Sequence, residues 1–169
     1  MKPPPLQPPD SHHLSAAVGW LGLGNPTEAG GELEKIAPEY RAHPGVLMVR
    51  HEVYAKAAKW DMADEVAREL IQISPDDVQF WIWHAYSTRR MPGGGIPQAR
   101  EILAKAQQLF PKESLIPYNL ACYECQLGNQ NAARTWLEKA FDLGDRKQLK
   151  QLALKDPDLE PFWPELGEI

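Results

Sequence analysis

The chain has 169 residues, of which 43% are hydrophobic and 24% charged, with a formal net charge of −5. This composition is typical of a globular protein with one sizeable core, and the acidic balance disfavours nucleic acid as a partner, since nucleic-acid-binding domains usually carry a concentrated basic face. No apolar run approaches the roughly 20 residues that span a bilayer, and the first residues contain no apolar signal-peptide region. We therefore expect a cytoplasmic protein that does not bind membranes.

Residues 1–10 form a proline-rich leader in which neither a helix nor a central strand is expected, because proline lacks a backbone N–H and fixes φ. We expect a frayed leader. Pro5-Leu6-Gln7-Pro8 also matches the PxxP pattern of polyproline II ligands, which keeps a recognition role open. The prolines of the leader are Pro3, Pro4, Pro5, Pro8 and Pro9.

From Ser11 onward, apolar residues recur at steps of three and four, which indicates amphipathic helices, and no segment alternates as a strand would. Clusters of Gly, Pro, Asn and Asp divide the pattern into helical hairpins. We expect Thr27 to cap the second helix, a turn at Lys59-Trp60-Asp61 and an aspartate cap within Ser74–Asp77. The predicted hairpins span residues 11–44, 45–77, 78–113 and 114–145, and residues 146–169 form a C-terminal cap that contains a short helix near Asp145–Leu154.

The second helices of these hairpins share a periodic arrangement of small and large residues. Ala29, Ala63, Ala99 and Ala133 follow one another at steps of 34, 36 and 34 residues (63 − 29, 99 − 63 and 133 − 99). A small residue at a fixed place lets a neighbouring helix approach closely, and larger residues one turn later fill the remaining space. Those later positions hold Leu33, Ala67, Leu103 and Leu137, then Ile36, Leu70, Ala106 and Ala140.

This spacing resembles the tetratricopeptide repeat (TPR). In the fourth hairpin, Leu120-Ala121 is similar to the Leu-Gly pair of the first helix of that family, and Gly128-Asn129 is similar to its turn. Trp81 and Tyr54 stand where the family has tryptophan and tyrosine in the third and second repeats. The resemblance implies an all-α, right-handed α-α superhelix of about four hairpins over residues 11–145, followed by a capping helix.

The resemblance also implies a binding scaffold or adaptor, because the first helices of such repeats line a concave face that binds proteins or peptides. Lysines that would clamp a C-terminal carboxylate are missing, since Leu14, Met48 and Ile82 occupy their places; an apolar or helical peptide suits the face better. The alternative is a ligand-sensing or accessory domain that serves an enzyme or regulator. The implied partner-binding residues are Met48, Glu52, Ile82, Tyr86, Arg89, Tyr118, Asn119 and Cys122.

No residue pattern indicates catalysis, a metal or a cofactor. Cys122 and Cys125 lie mid-helix, where a redox pair would not gain a lowered pKa, and no second pair completes a zinc site. His51 and His84 lie on apolar helices, which is typical of hydrogen-bonded core histidines. Gly93-Gly94-Gly95 lacks the strand and the Gly-Lys-Ser/Thr of a phosphate loop, so we interpret it as an insertion between helices. The sequence therefore predicts a non-enzymatic protein.

An aromatic-rich first helix in the third hairpin carries Trp81, Trp83 and Tyr86. Trp81 and Trp83 are two residues apart and cannot share one helix face, so at least one of them lies off the main apolar stripe. Helical spacing predicts that most of these rings, with Tyr118 of the next hairpin, pack in the core between repeats, and an exposed tryptophan in a groove would be a common centre of binding energy.

Overall fold

In a computed structural model, which describes residues 4–167, all regular secondary structure of the described chain is helical. This confirms the all-α prediction. The chain divides into two compact units, and the division falls between Gly93 and Gly94. That point lies in the glycine loop inside the predicted third hairpin, where the chain lacks side chains that could pack.

Over residues 4–93, the described part of the first unit, there are five α-helices and one short 3₁₀ turn at Pro38–Tyr40. Consecutive helices α1 and α2, and likewise α3 and α4, pack against each other as hairpins, and α5 packs on α4. The helices are α1 (Asp10–Gly22), α2 (Pro26–Glu34), α3 (Pro44–Lys56), α4 (Trp60–Ile73) and α5 (Val78–Arg90).

The second unit, described over residues 94–167, also has five α-helices there, with a 3₁₀ turn at Pro157–Phe162 before the last of them. Helices α7 and α8 form its central hairpin, α6 packs on α7, and the 3₁₀ turn packs on α7 as well. The helices are α6 (Ile96–Leu109), α7 (Leu115–Gln126), α8 (Gln130–Leu143), α9 (Arg146–Ala153) and α10 (Trp163–Leu166).

The periodic alanines are fully buried in both units. Ala29, Ala63, Ala99 and Ala133 are all 0% exposed, which confirms the small-residue positions. The positions four and seven residues after each alanine are buried too, so each second helix contributes a stripe of buried residues to its core, which in the first hairpin continues to Ile36, just past the end of α2. These residues are Leu33, Ala67, Leu103 and Leu137, then Ile36, Leu70, Ala106 and Ala140.

Two local predictions in the first unit are wrong. The cap of α2 is Asn25, whose side-chain oxygen accepts the N–H of Glu28 at 3.2 Å; Thr27 lies within the helix, because Pro26 fits the first helical position and moves the start upstream. The turn before α4 ends at Lys59, since Trp60 already begins the helix. The predicted aspartate cap is confirmed, with Asp77 accepting the N–H of Gln79 at 3.0 Å.

The leader contacts the rest of the first unit through a few of its residues, while five of the six residues 4–9 are exposed and Pro3 lies outside the described residues. Leu6 lies against the apolar core that α1, α2 and α3 share. His43 Nε2 donates to the carbonyl oxygen of Pro4 at 3.1 Å, and Asp10 accepts the N–H of Ala37 at 2.7 Å. The PxxP segment therefore has its central leucine partly buried by its own chain.

The C-terminal segment covers part of α7. Tyr118 donates its hydroxyl to Asp156 at 3.0 Å, and Gln126 donates its side-chain amide to the carbonyl oxygen of Asp158 at 3.2 Å. Leu159 and Phe162 of this segment are themselves buried. The residues after α9 thus shield a face of the last hairpin with both apolar and polar contacts.

Candidate functional site

An open groove lies between α3 and α5 in the first unit. Its volume is about 370 Å³. One face of each helix lines it, because residues three and four apart on a helix point the same way. The lining residues are His51, Glu52 and Ala55 from α3, and Gln79, Ile82, Trp83 and Tyr86 from α5.

Two ring contacts fix the floor and wall of this groove. The rings of His51 and Trp83 stack with centroids 4.4 Å apart and an interplanar angle of 7°. Tyr86 meets Trp60 edge to face at 5.7 Å, and the guanidinium of Arg90 lies 3.4 Å from the centre of the Tyr86 ring. Tyr86 is nevertheless 42% exposed. The Tyr86 ring is therefore held in place by its neighbours and is still accessible, which makes it a favourable anchor for a partner.

His51 is 4% exposed, and its Nε2 lies 3.4 Å from the hydroxyl of Ser87. Burial lowers the pKa of His51 from 6.5 to about 4, although the negative charge of Asp64 opposes this shift. The imidazole is therefore neutral at physiological pH. Ser87 is 0% exposed, so this histidine–serine pair cannot reach a substrate from solvent.

A buried carboxylate holds α5 in place against α4. Asp64 is 2% exposed and accepts hydrogen bonds from His84 Nδ1 and the Thr88 hydroxyl, each at 2.7 Å, and from Arg68 at 2.9 Å. Burial acts to raise the pKa of Asp64, but the hydrogen bonds from His84 and Thr88 outweigh it and leave the pKa below its usual range. Because α5 supplies most of the groove lining, this network also positions the groove.

The predicted partner-binding residues of the first unit lie at or beside this groove. Glu52, Ile82 and Tyr86 line it. Met48, 41% exposed, lies one turn before Glu52 on α3, and Arg89 is half-buried near the end of α5.

The predicted partner-binding residues of the second unit do not form an open site. Tyr118 and Cys122 are 4% and 3% exposed beneath the C-terminal segment. Asn119 donates its side-chain amide to the carbonyl oxygen of Leu115 at 2.7 Å within its own helix. The interpretation from the family resemblance did not account for a covering segment that supplies its own hydrogen-bonding partner, Asp156.

The sequence interpretation missed three contributions to the groove, one of which is Ala55. His51 was interpreted only as a core residue, and Gln79 was not singled out. The signal was present, since Gln79, Ile82, Trp83 and Tyr86 follow the three- and four-residue spacing of one helix face.

The side chains of Cys122 and Cys125 pack in the interior of the second unit. Cys122 and Cys125 are both buried on α7, and burial raises the pKa of the Cys125 thiol. Potential ligand atoms of Cys122, Asp156 and Asp158 lie within 4.8 Å of one another. Asp156 Oδ2 accepts hydrogen bonds from the hydroxyl of Tyr118 and the thiol of Cys122. Its other oxygen, Oδ1, accepts the backbone N–H of Asp158 at 3.1 Å. Hydrogen bonding at a helix start accounts for this arrangement.

The described fold is similar to solved structures of repeat proteins. A thermophilic TPR protein from Thermus thermophilus, TTC0263, is 17% identical over 94% of this chain and 83% of that chain, with a TM-score of 0.69. This chain has the TPR fold. MamA from Desulfovibrio magneticus RS-1 is 16% identical over 82% of this chain and 77% of that chain, with a TM-score of 0.71.

PcrH in complex with the chaperone binding region of PopB is 18% identical over 78% of this chain and 95% of that chain, with a TM-score of 0.53. No family model and no curated protein sequence matches the chain. The likeness to solved structures therefore establishes the TPR fold and confirms the resemblance seen in the sequence. No helix within residues 4–167 is long and apolar enough to cross a membrane.

Proposed function

We propose that this protein is a non-enzymatic scaffold or adaptor that binds a protein segment in the groove between α3 and α5. The observation that carries the proposal is the exposed Tyr86 ring beside an apolar floor formed by Ile82 and Trp83. Aromatic side chains held in a groove supply much of the energy of peptide binding, because they bury a large area and lose little side-chain entropy.

The chemistry of the groove favours an apolar or amphipathic helical segment. Its floor is mainly apolar, while Glu52 and Gln79 are exposed polar groups on the lining. An amphipathic helix can place apolar side chains on such a floor and pair its polar side chains with the rim. The similar fold of PcrH, solved with a region of PopB, supports the use of this fold for binding protein segments.

A second candidate is a ligand-sensing or accessory domain that serves an enzyme or regulator. The groove volume of about 370 Å³ lies within the range of about 300–1,000 Å³ that small-molecule sites occupy. The groove opens to solvent along α3 and α5, however, whereas such sites bury most of their ligand. An extended or helical protein segment therefore fits better.

A reducing, cytoplasmic setting is part of our proposal, and it is compatible with two buried cysteines that form no disulfide.

The test is a selection of binding peptides from a random library, followed by affinity measurements with groove and control variants. Ile82→Ser/Tyr86→Ser removes two of the apolar side chains of the lining, and we expect it to weaken binding at least about thirtyfold, as for loss of a binding hot spot. Tyr40→Ser is the matched control, because Tyr40 lies in the same unit, is 45% exposed and does not line the groove. Equal affinity for the groove variant and wild type would overturn the proposal.

A further inference from the structure

A second cleft, in the second unit, is lined by positively charged side chains, whereas the protein as a whole has a net negative charge. Its volume is about 510 Å³. It lies along α9 and reaches α10, and the described residues that line it include three cations, two leucines and no carboxylate. The lining residues are Arg146, Lys147, Lys150, Gln151, Leu154 and Leu166.

Lys147 and Lys150 carry the charge that is available to a ligand. Arg146 is already paired, since its guanidinium lies 2.9 Å from the carboxylate of Glu138 and 3.6 Å from that of Asp142. Among residues 4–167, no carboxylate lies within 4.0 Å of the ammonium of Lys147 or Lys150. On a chain of net charge −5, this is a local concentration of unneutralised positive charge.

Stability of α9 explains the position of Lys150, which lies in the last turn where the helix dipole favours a cation, but it does not explain the position of Lys147. Arg146 and Lys147 occupy the first turn of the helix, where the positive end of the helix dipole disfavours a cation. The dipole instead adds to the positive potential of the cleft. Arg146 is compensated by its ion pairs, whereas Lys147 is not. Asp145 already caps the helix start, since its carboxylate accepts the N–H of Gln148 at 2.9 Å, so a negatively charged partner would compensate Lys147.

The floor of the cleft is apolar and its wall is fixed. Leu154 is 38% exposed, and Leu166 lies beside it at the end of α10. Trp163 donates its indole N–H to the carbonyl oxygen of Ala153 at 2.8 Å, which ties the start of α10 to the end of α9. An aliphatic or aromatic side chain placed against Leu154 would bury apolar surface that water now covers.

We propose that this cleft binds an acidic protein segment that carries at least one large apolar side chain. Two carboxylates of the segment pair with Lys147 and Lys150, and the apolar side chain packs on Leu154. Charge complementarity selects the occupant, because the lining offers positive charge and apolar surface together. The cleft is open to solvent, which suits a protein segment better than an isolated acyl chain that needs full enclosure. This site is separate from the groove of the proposed function and shares no residue with it.

The experiment uses the full chain and three fluorescein-labelled probes. The first is the peptide Glu-Asp-Leu-Phe-Glu-Asp, the second replaces its acidic residues with Gln and Asn, and the third is a vesicle of phosphatidylcholine and phosphatidylserine. Lys147→Glu/Lys150→Glu reverses the cleft charge. The matched control is Lys112→Glu/Lys139→Glu, two exposed lysines of the same unit outside the cleft, which changes the net charge by the same amount.

We expect the acidic peptide to bind wild type with an affinity that falls as salt is raised. We expect at least about a tenfold loss in the cleft variant and less than about a twofold change in the control. Equal losses in both double variants would show general charge attraction and overturn the proposal. Vesicle binding without peptide binding would also overturn it, and so would equal affinity for the acidic and amide peptides.

A single substitution at an exposed residue tests the same site with less risk of unfolding the protein than the double charge reversal. Leu154→Ser alters an exposed residue and leaves every lysine in place, so we expect it to fold, to keep the salt dependence and to weaken the acidic peptide about threefold to tenfold. Circular dichroism of each variant checks folding. An unchanged affinity in folded Leu154→Ser would show that the apolar floor plays no part and would overturn the assignment of an apolar anchor.

Discussion

Protonation of His51 should destabilise the first unit in mild acid. The folded protein holds the pKa of His51 at about 4, mainly through burial, whereas the histidine of an unfolded chain titrates near 6.5. Between these two values the unfolded state binds more protons than the folded state, so the free energy of unfolding decreases as the pH falls. The loss begins below about pH 6.5 and is complete below about pH 4.

The size of this effect follows from the two pKa values. Linkage gives a loss of about 2 kcal/mol at pH 5 relative to neutral pH, and about 3 kcal/mol at pH 4. Because the His51 ring stacks on Trp83 at 4.4 Å, the same protonation disturbs the floor of the groove. Peptide affinity in the groove should therefore weaken over the same pH range.

Urea unfolding followed by circular dichroism at about pH 7.5 and about pH 5 provides the assay. His51→Gln keeps a polar end near Ser87 and does not titrate, so its stability should fall by about 2 kcal/mol less than that of wild type. His12→Gln changes an exposed histidine of the same unit and should follow wild type. If wild type and His51→Gln lose stability in parallel, the assigned pKa shift of His51 is refuted.

Three further substitutions test the packing of both units by urea unfolding. Asp64→Ala removes the acceptor of His84 and Thr88 and should cost about 3 kcal/mol, because it breaks a buried charged network; a loss below about 1 kcal/mol would contradict this. Gly144→Ala should cost about 1–2 kcal/mol, since a Cβ there would lie 2.7 Å from Ser114 Oγ; unchanged stability would show that the contact relaxes freely. Tyr118→Phe should cost about 1 kcal/mol through its lost hydrogen bond to the C-terminal segment, and no change would show that this bond contributes nothing.

The core of each unit could be predicted from the sequence because its signal is periodic. Ala29, Ala63, Ala99 and Ala133 recur at nearly constant steps, and a small residue at a close helix contact leaves that pattern whatever the partner is. The helix starts were less certain. Pro26 shifted the cap from Thr27 to Asn25, because the residue that fits the first helical position decides where the cap falls.

The candidate site could be predicted only in part, because burial by distant segments leaves no local pattern. Tyr118 and Cys122 lie on the helix face that the family resemblance assigns to binding, yet residues more than 30 positions later cover them. The leader behaves similarly, since Leu6 packs on a core built by three later helices. Tertiary contacts of this kind depend on the whole fold, whereas Ile82 and Tyr86 follow from the family resemblance, which assigns the first helix of a repeat to the binding face.

A titration of the isotope-labelled protein with a library-selected peptide, followed by amide NMR spectra, tests the central claim most directly. The account predicts that the largest shifts cluster on α3 and α5, around Glu52, Ile82 and Tyr86, and that Ile82→Ser/Tyr86→Ser abolishes them. Shifts that cluster elsewhere, or that persist in this variant, would contradict a binding groove between the two helices.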